Sequence, residues 1–272
     1  MRFTKMHGIG NDFIIIDAIH NEIENPSALA KRACRRRFGV GADGLILICP
    51  SDRADVKMRI FNSDGSEPEM CGNGIRCAAK YVYDKGICPK THMTIDTLAG
   101  VLTIDLTLDS ETTLAAVDMG RPEFTPAKIP VAADSNRVKV QLEGREVEFF
   151  CVSMGNPHAV TFDLFPEEED FRRLGRLMEC HPLFPAKANI EFCRVDDRKN
   201  ITVKVWERGD GPTLACGTGS CAVLAAAVSL GLAERRASIH LPGGTLQDEW
   251  LENNHIRMTG PAETAFEGEI EI

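Results

Sequence analysis

Two short segments of the sequence place a cysteine directly before a Gly-x-Gly turn, and an apolar run follows each turn. The segments are Met70–Gly74 (MCGNG) and Ala215–Gly219 (ACGTG), and Cys216 lies 145 residues after Cys71. Inverting a stereocentre requires one group that removes a proton and a second group that returns one to the opposite face. The repeat therefore indicates proton-transfer chemistry by two equivalent thiols, with two buried structural cysteines as the alternative.

Each of these cysteines is predicted to begin a helix. A helix N-terminus presents unpaired N–H groups and a partial positive charge, which stabilise a thiolate. The glycines that follow leave the same N–H groups open to a carboxylate. One turn could then hold a base and bind a substrate anion, and two turns facing a cleft could enclose one substrate carbon.

The 145-residue shift extends through the chain. Three further pairs of segments align under it: Gly10-Asn11 with Gly155-Asn156, Leu45–Leu47 with Ile190–Phe192, and Met58–Phe61 with Val203–Trp206. Identity is low position by position, but the order of the elements agrees almost without gaps. The sequence therefore predicts two structurally similar domains that arose by duplication.

Strands and two helices are predicted in each half. Asn25 before Pro26 is a helix-start pattern, and the matching helix of the second half begins near Pro166. The apolar run from Ala222 indicates a buried helix. Alternation from Thr94 to Asp105 indicates strand structure.

Composition limits the partners of this chain. Its 272 residues are 43% apolar and carry a net charge of −9. No basic surface argues for nucleic acid or an anionic membrane, so neither is expected as a partner. No segment approaches the roughly 18 apolar residues of a membrane span. Asn11 and Asp12 interrupt the apolar N-terminal segment, so no signal peptide is expected and the predicted location is cytoplasmic.

The ten cysteines are expected to be reduced thiols, because no export signal is expected. Their spacings do not match zinc ribbons, so no metal site is predicted. Six of them are interpreted as small core residues, namely Cys34, Cys49, Cys88, Cys151, Cys180 and Cys193.

The two halves differ in polar residues at matched positions. Asn62 aligns with Glu207 and Ser63 aligns with Arg208. A structural duplication does not need this asymmetry, whereas an asymmetric substrate does. His158 follows Asn156-Pro157 in a segment that the repeat places near the same site.

At four motifs the sequence resembles the diaminopimelate epimerase family, over essentially the full length. The motifs are KMHGIGNDFIIID (Lys5–Asp17), RIFNSDGSEPEMCGNGIRC (Arg59–Cys77), MGNPHAV (Met154–Val160) and WERGDGPTLACGTGSCA (Trp206–Ala222). The resemblance implies an epimerase that interconverts LL- and meso-diaminopimelate, in lysine and peptidoglycan precursor biosynthesis. It also implies that no cofactor takes part, neither pyridoxal phosphate nor a metal.

Roles for individual residues follow from the same resemblance. The implied catalytic residues are two acid/base thiols and two residues that tune them: Cys71, Cys216, His158 and Glu207. Glu207 is also the implied partner of the reacting amino group. The implied substrate-binding residues are the helix-start groups that hold the reacting carboxylate (Gly72, Asn73, Gly217, Thr218), the set that reads the distal amino acid end (Asn62, Asn156, Asn189, Arg208), and Asn11. Amide and guanidinium groups of this kind suit a diamino diacid, because a distal zwitterion needs both donors and acceptors.

The fold implied by the resemblance is α/β (α+β), with two pseudo-symmetric domains. Each domain is a curled, mostly antiparallel sheet around a central helix. The N-terminal domain, residues 1–116 plus 262–272, carries Cys71, and the C-terminal domain, residues 117–261, carries Cys216. A homodimer is also implied.

Two positions depart from some members of the family. Gly44 stands where some members have a glutamine that contacts substrate, so no substrate contact is predicted for this residue. Phe266 stands where some have a tyrosine at the dimer contact, so the ring is kept and the hydroxyl is lost.

Four alternatives stay open at the level of sequence. A proline or hydroxyproline racemase-like enzyme would share the fold, but its substrates lack a second amino acid end. A phenazine-biosynthesis-type isomerase should lack the two cysteines. A redox sensor would use the two thiols as a disulfide switch, and a non-catalytic ligand-binding duplicate would use neither thiol.

Overall fold

A computed structural model describes residues 1–109 and 113–271, and the chain divides into two compact units. Unit 1 comprises Met1–Asp118 and Thr259–Ile272, and unit 2 comprises Met119–Met258. The sequence-based division sets the boundaries at 116/117 and 261/262, a few residues away. No helix within the described ranges has both the length and the apolar character needed to cross a bilayer.

Unit 1 is a sheet with two helices. Its elements are β1 (Arg2–Gly8), β2 (Asn11–Asp17), α1 (Pro26–Ala33), β3 (Gly44–Cys49), β4 (Val56–Asn62), α2 (Gly72–Asp84), β5 (His92–Thr97), β6 (Gly100–Leu108) and β7 (Thr113–Asp118). The strands pair in sequence order from β1 to β7. The β2–β3 and β4–β5 pairs are parallel, and the other pairs whose register is resolved are antiparallel. The opposite edge of β1 pairs with residues 263–269 of β16 (Ile256–Glu269).

Unit 2 repeats this plan. Its elements are a 3₁₀ turn (Pro126–Lys128), β8 (Arg137–Leu142), β9 (Arg145–Ser153), β10 (Pro157–Thr161), α3 (Glu168–Glu179), β11 (Asn189–Asp197), β12 (Asn200–Glu207), β13 (Gly211–Pro212), α4 (Gly217–Ser229), β14 (Arg236–Leu241) and β15 (Gly244–Trp250). The strand order is β8-β9-β10-β11-β12-β14-β15, and β13 pairs with β12 off this path. As in unit 1, parallel pairs (β10–β11 and β12–β14) alternate with antiparallel ones.

The duplication is visible in the register of the strands. In unit 1, Phe13 of β2 pairs with Gly44 of β3, and in unit 2, His158 of β10 pairs with Asn189 of β11. Helices α2 and α4 have the same length of 13 residues and begin after the two cysteines of the repeat. The 145-residue shift therefore superposes elements, and not only motifs.

Each sheet packs against one helix on each face. In unit 1 the apolar side chains of α1, such as Leu29, pack on Ile14 and Leu45. The opposite face contacts α2, which touches all seven strands β1 to β7 and is therefore the central helix. Helices α3 and α4 have the corresponding places in unit 2. Cys221 to Ala227 are fully buried, which confirms the predicted buried helix.

Local sequence explains where α1 begins. Asn25 is the N-cap and its side chain accepts a hydrogen bond from the Ala28 N–H, while Pro26 is the first helical residue. A proline costs nothing there because its missing N–H would have no helical partner. The predicted helix start is confirmed.

The predicted strand structure from Thr94 to Asp105 is confirmed as two strands, β5 and β6, which form a tight hairpin in which Thr97 pairs with Gly100. The interpretation of two cysteines needs correction. Cys180 and Cys49 are not core residues: Cys180 is the exposed C-cap of α3, and Cys49 is half-buried at the end of β3.

A half-buried ion pair anchors β1 to β2 and predicts an acid-sensitive contribution to stability. Lys5 Nζ lies 2.7 Å from Asp12 Oδ2, and Arg36 Nη2 lies 3.0 Å from Asp12 Oδ1. Burial alone would raise the pKa of Asp12, but hydrogen bonds from Arg36 and Lys5 outweigh it and lower the pKa to about 2. A carboxylate with a lowered pKa stabilises the fold above its unfolded pKa, and this contribution is lost as the pH falls through the folded value.

Replacement of Asp12 by asparagine is therefore expected to lower the free energy of unfolding by about 2 kcal/mol at neutral pH. The difference from wild type should shrink as the pH falls from about 5 to about 2. Urea titrations across this range measure it. Asp84→Asn, which breaks the more exposed pair with Lys80, is the control and should cost less than about 1 kcal/mol. A pH-independent difference for Asp12→Asn would contradict the assignment.

Candidate active site

Each cysteine of the repeat occupies the N-cap position of the helix that follows it. Cys71 is the N-cap of α2 (φ −137°, ψ 120°), and Cys216 is the N-cap of α4 (φ −128°, ψ 110°). The Gly74 N–H donates to Cys71 Sγ at 3.4 Å, so the sulfur takes the place that a capping oxygen usually has. The prediction that both thiols lie at helix starts is confirmed.

In unit 1 a small hydrogen-bonded cluster surrounds Cys71. Asn11 Oδ1 accepts from Asn73 Nδ2 at 3.1 Å and from the Cys71 thiol at 3.7 Å. Asn11 Nδ2 in turn donates to Asp43 Oδ2 at 2.8 Å. The amide of Asn11 is thereby fixed with its oxygen towards the α2 turn. Gly72 and Asn73 are the first two residues of that helix.

The matching cluster in unit 2 has the opposite amide orientation. Asn156 Nδ2 donates to Thr218 Oγ1 at 3.2 Å, and Thr218 Oγ1 lies 3.6 Å from Cys216 Sγ. Gly217 and Thr218 are the first two residues of α4. Asn156 is oriented by His158, whose Nε2 lies 3.0 Å from Asn156 Oδ1. An amide oxygen only accepts, so Nε2 carries a proton.

A buried His–Glu pair lies beneath this cluster. His158 Nδ1 is 2.6 Å from Glu191 Oε1, and both side chains are fully buried. Burial raises the pKa of Glu191, opposed by the nearby His158. Glu191 is absent from the residues predicted from sequence. The repeat could have indicated it, because Glu191 aligns with the apolar Ile46 and so differs in polarity between the two halves.

Glu207 ends β12 close to the Cys216 turn. Its Oε1 accepts from Thr213 Oγ1 at 2.5 Å. Burial raises the pKa of Glu207, partly offset by hydrogen bonds with Thr213 and Cys216. Burial also raises the pKa of the Cys216 thiol well above its usual value, and the carboxylates of Glu207 and Glu191 add to this. This direction is opposite to the lowering expected at a helix start, so Cys216 favours its protonated form.

The residues expected to read the distal end of the substrate differ in exposure. Asn189 is buried, and both ends of its amide bond to backbone: Nδ2 donates to Pro157 O at 2.9 Å, and Oδ1 accepts from the Arg208 N–H at 2.9 Å. The Arg208 side chain is exposed and donates to Ala186 O. Asn62 is exposed at the end of β4 and donates to Ser66 Oγ. Asn189 thus places Arg208 through its backbone.

Steric contact explains why position 44 holds a glycine. A Cβ atom at this position would lie 2.9 Å from the carbonyl oxygen of Phe61, which is backbone and cannot move aside. A glutamine at this position would therefore require a shift of β3 or β4.

Within unit 1 the structure brings together Cys71, Gly72, Asn73 and Asn11, and within unit 2 it brings together Cys216, Gly217, Thr218, Asn156, His158 and Glu207. Across residues 1–109 and 113–271, no group of three or more His, Cys, Asp or Glu side chains has the geometry of a metal site. Each unit thus presents a thiol, a helix N-terminus and an oriented amide.

Solved structures share this fold. A hydroxyproline epimerase from Agrobacterium vitis with bound trans-4-hydroxy-L-proline superposes with a TM-score of 0.72 at 16% identity, covering 99% of this chain and 90% of that chain. A phenazine biosynthesis protein of the PhzF family from Bacillus anthracis superposes with a TM-score of 0.68 at 18% identity, covering 100% and 99%. The protein is thus of the class with two pseudo-symmetric α/β domains, which confirms the predicted fold.

Sequence relationships within this class are more specific. The chain matches the diaminopimelate epimerase family over residues 3–125 and 150–265. A diaminopimelate epimerase from Acetivibrio thermocellus is 52% identical, with 100% of this chain and 99% of the relative covered. One from Methanococcus maripaludis (strain S2) is 50% identical over the full length of both chains. The chain belongs to the diaminopimelate epimerase family, and the proline racemase-like and phenazine-type alternatives agree with it in fold only.

Proposed function

We propose that this protein is an epimerase that interconverts LL- and meso-diaminopimelate with two thiols as its acid and base, in lysine and peptidoglycan precursor biosynthesis. The observation that carries the proposal is the pair of matched N-cap cysteines, each at the start of a 13-residue central helix. Membership of the family supports the substrate. No cofactor is part of the proposal.

The first step is removal of the α-proton by one thiolate. This proton is a very weak acid, so the protein must stabilise the negative charge that develops on the carbon and its carboxylate. The N–H groups of the first residues of α2 and α4, from Gly72 and Gly217 onward, are the proposed donors to that carboxylate. A thiol on the opposite face then returns a proton to the carbon, which inverts it. The raised pKa of Cys216 makes it the proposed proton donor at the start of this sequence, with Cys71 as the base.

The two ends of the substrate are distinguished by residues that differ between the units. Glu207 is the proposed partner of the reacting ammonium group, because a carboxylate accepts from a cation. Asn62, Asn156, Asn189 and Arg208 are proposed to recognise the distal amino acid end, and Asn11 to line the same pocket. The guanidinium group of Arg208 suits the distal carboxylate.

Incubation of the reduced protein with LL-diaminopimelate in D₂O tests the proposed function. We expect deuterium at one α-carbon and accumulation of the meso isomer, followed by NMR and chiral chromatography. The same sample without reductant should lose activity as the thiols oxidise, whereas a thiol-based redox sensor would show no exchange in either state. Folded, reduced protein that incorporates no deuterium would refute the function.

A homodimer is proposed through the face that carries Phe266. This residue is 49% exposed, and its ring packs edge-on against Phe3, with the centroids 5.9 Å apart. Phe266→Lys is expected to convert the dimer to monomer in sedimentation equilibrium, because burying an unpaired charge is costly. Leu177→Lys, an exposed leucine of α3 in unit 2, is the control that should stay dimeric. A monomeric wild-type protein at micromolar concentration would exclude the dimer.

The proposed location is the cytoplasm. A reaction that needs two free thiols fits a reducing compartment, since disulfides form readily in oxidising ones. Fractionation of the source cells with an activity assay checks this, and activity confined to a periplasmic or secreted fraction would contradict it.

A further inference from the structure

The Cys216 turn and the Cys71 turn rest on chemically different supports. At the matched positions beneath them, unit 2 has His158 and Glu191 where unit 1 has Phe13 and Ile46. All four side chains are at most 2% exposed. The apolar pair in unit 1 shows that this fold does not require polar groups at these positions.

Burying a polar pair lowers the stability of a fold unless all of its polar atoms are hydrogen-bonded. Glu191 Oε2 has no hydrogen-bond partner among the residues that the structure describes. Replacing buried ionic pairs by apolar side chains of similar volume is often neutral or stabilising. The presence of His158 and Glu191 in place of an apolar pair therefore calls for an explanation other than stability.

The hydrogen bonds of the pair lead to the Cys216 turn. Glu191 bonds to His158 Nδ1, the His158 Nε2–H donates to Asn156 Oδ1, and Asn156 Nδ2 donates to Thr218 Oγ1. Each step fixes the next: in a neutral imidazole that donates from Nε2, the Nδ1 atom accepts, so the Glu191 carboxyl group, whose pKa is raised by burial, is the donor to it. The chain ends at a hydroxyl 3.6 Å from Cys216 Sγ.

Glu191 also lies directly under the turn. A Cβ atom placed on Gly219 would be 2.9 Å from Glu191 Oε1 and 3.2 Å from Cys216 Sγ. In unit 1 the corresponding atom at Gly74 would face the terminal methyl of Ile46 at 3.1 Å. The Glu191 carboxyl group therefore lies against the Cys216 turn itself, while His158 is connected to that turn through Asn156.

We propose that Glu191 is a positioning residue of the epimerase: through His158 and Asn156 it fixes the orientation of the Thr218 hydroxyl and of the turn that carries Cys216. The proposal rests on the proposed function. Glu191 does not touch the substrate in this account. Its role is to keep His158 in the form that donates from Nε2.

Three variants test this role. In Glu191→Gln the amide N–H can donate to Nδ1, so the Nε2–H is kept, and kcat should stay within about threefold of wild type. In Glu191→Ile, which copies unit 1, Nδ1 loses its partner, and kcat should fall about 10- to 100-fold with KM little changed. In His158→Phe/Glu191→Ile, which copies the whole apolar pair, the melting temperature should equal or exceed that of wild type while kcat stays low.

Cys193→Val is the matched control, because Cys193 is buried on the same face of β11 two residues further on. It should keep wild-type kcat. A merely structural role for Glu191 predicts instead that the double variant melts at a lower temperature. Wild-type kcat in Glu191→Ile, or equal losses in the Gln and Ile variants, would overturn the proposal. If Glu191→Ile does not fold, the double variant replaces it, and wild-type kcat there overturns the proposal equally.

A second readout does not depend on epimerase activity. The ratio of the iodoacetamide reaction rates of Cys216 and Cys71, measured by peptide mass spectrometry, should rise about threefold or more in Glu191→Ile, because the support that fixes the Cys216 turn is lost and the thiol becomes more accessible. The ratio should not change in Cys193→Val. An unchanged ratio in Glu191→Ile overturns the positioning role. A wild-type protein that fails to epimerise refutes the proposed function instead, and the ratio still decides on Glu191.

Discussion

Replacement of Cys71 or Cys216 by serine is expected to lower the rate of epimerisation by about 10²- to 10⁴-fold, the usual contribution of a placed acid or base. A hydroxyl is a far weaker acid than a thiol, so it neither ionises to take the α-proton nor returns one readily. The fold should survive, because both cysteines are N-caps and serine is a favoured N-cap residue. The measurement is kcat for the LL to meso conversion.

Each unit contains a cysteine that serves as a control. Cys49→Ser in unit 1 and Cys180→Ser in unit 2 remove accessible thiols that lie away from the helix starts. Both should keep near wild-type turnover. Near-normal turnover in either Cys71→Ser or Cys216→Ser would contradict the two-thiol mechanism.

Gly219→Ala is expected to lower kcat by about 100-fold, because displacement of a catalytic group by about 1 Å has effects of this size. The added methyl would lie 2.9 Å from Glu191 Oε1 and 3.2 Å from Cys216 Sγ, so the thiol or the carboxylate must move. Alanine favours a helix over glycine by about 1 kcal/mol, so loss of helix stability does not explain such a result.

Gly74→Ala is the matched variant in unit 1. Its methyl would meet the terminal methyls of Ile46 and Ile60 at 3.1 and 3.3 Å, and a flexible side chain can rotate away. We therefore expect a loss of less than about tenfold, with both variants compared in kcat and melting temperature. Equal losses in the two variants would show that the supports beneath the two turns are equivalent.

Much of the site follows from local sequence. A cysteine before Gly-x-Gly and an apolar run predicts an N-cap thiol, and both N-caps are present because helix starts depend on only a few neighbouring residues. The duplication could also be predicted, since one shift of 145 residues superposes strands and helices. Contacts between strands then follow from the register, as for His158 beside Asn189.

The other features of the site could not be predicted, because they depend on which face of its strand each side chain occupies. Glu191 lies between two apolar residues of β11, a pattern that fits a strand whose polar residue faces solvent as well as one whose polar residue faces α4. Only the packing of α3 on Ile190 and Phe192 places Glu191 on the inner face. The raised pKa of Cys216 likewise depends on burial and on two carboxylates from separate strands, which no local pattern contains.

The insertion of unit 2 within unit 1 has a consequence for biosynthesis. Residues of unit 2 are contiguous from 119 to 258, whereas β1 of unit 1 pairs with residues 263–269 of β16. Domains fold as units while the chain emerges from the ribosome. Unit 2, which carries Cys216, can therefore complete its fold before unit 1, although most of unit 1 is synthesised earlier. The half that carries Cys71 must hold the edge of β1 unpaired until residues 263–269 have been made, and during this interval that edge is open to strand-mediated aggregation.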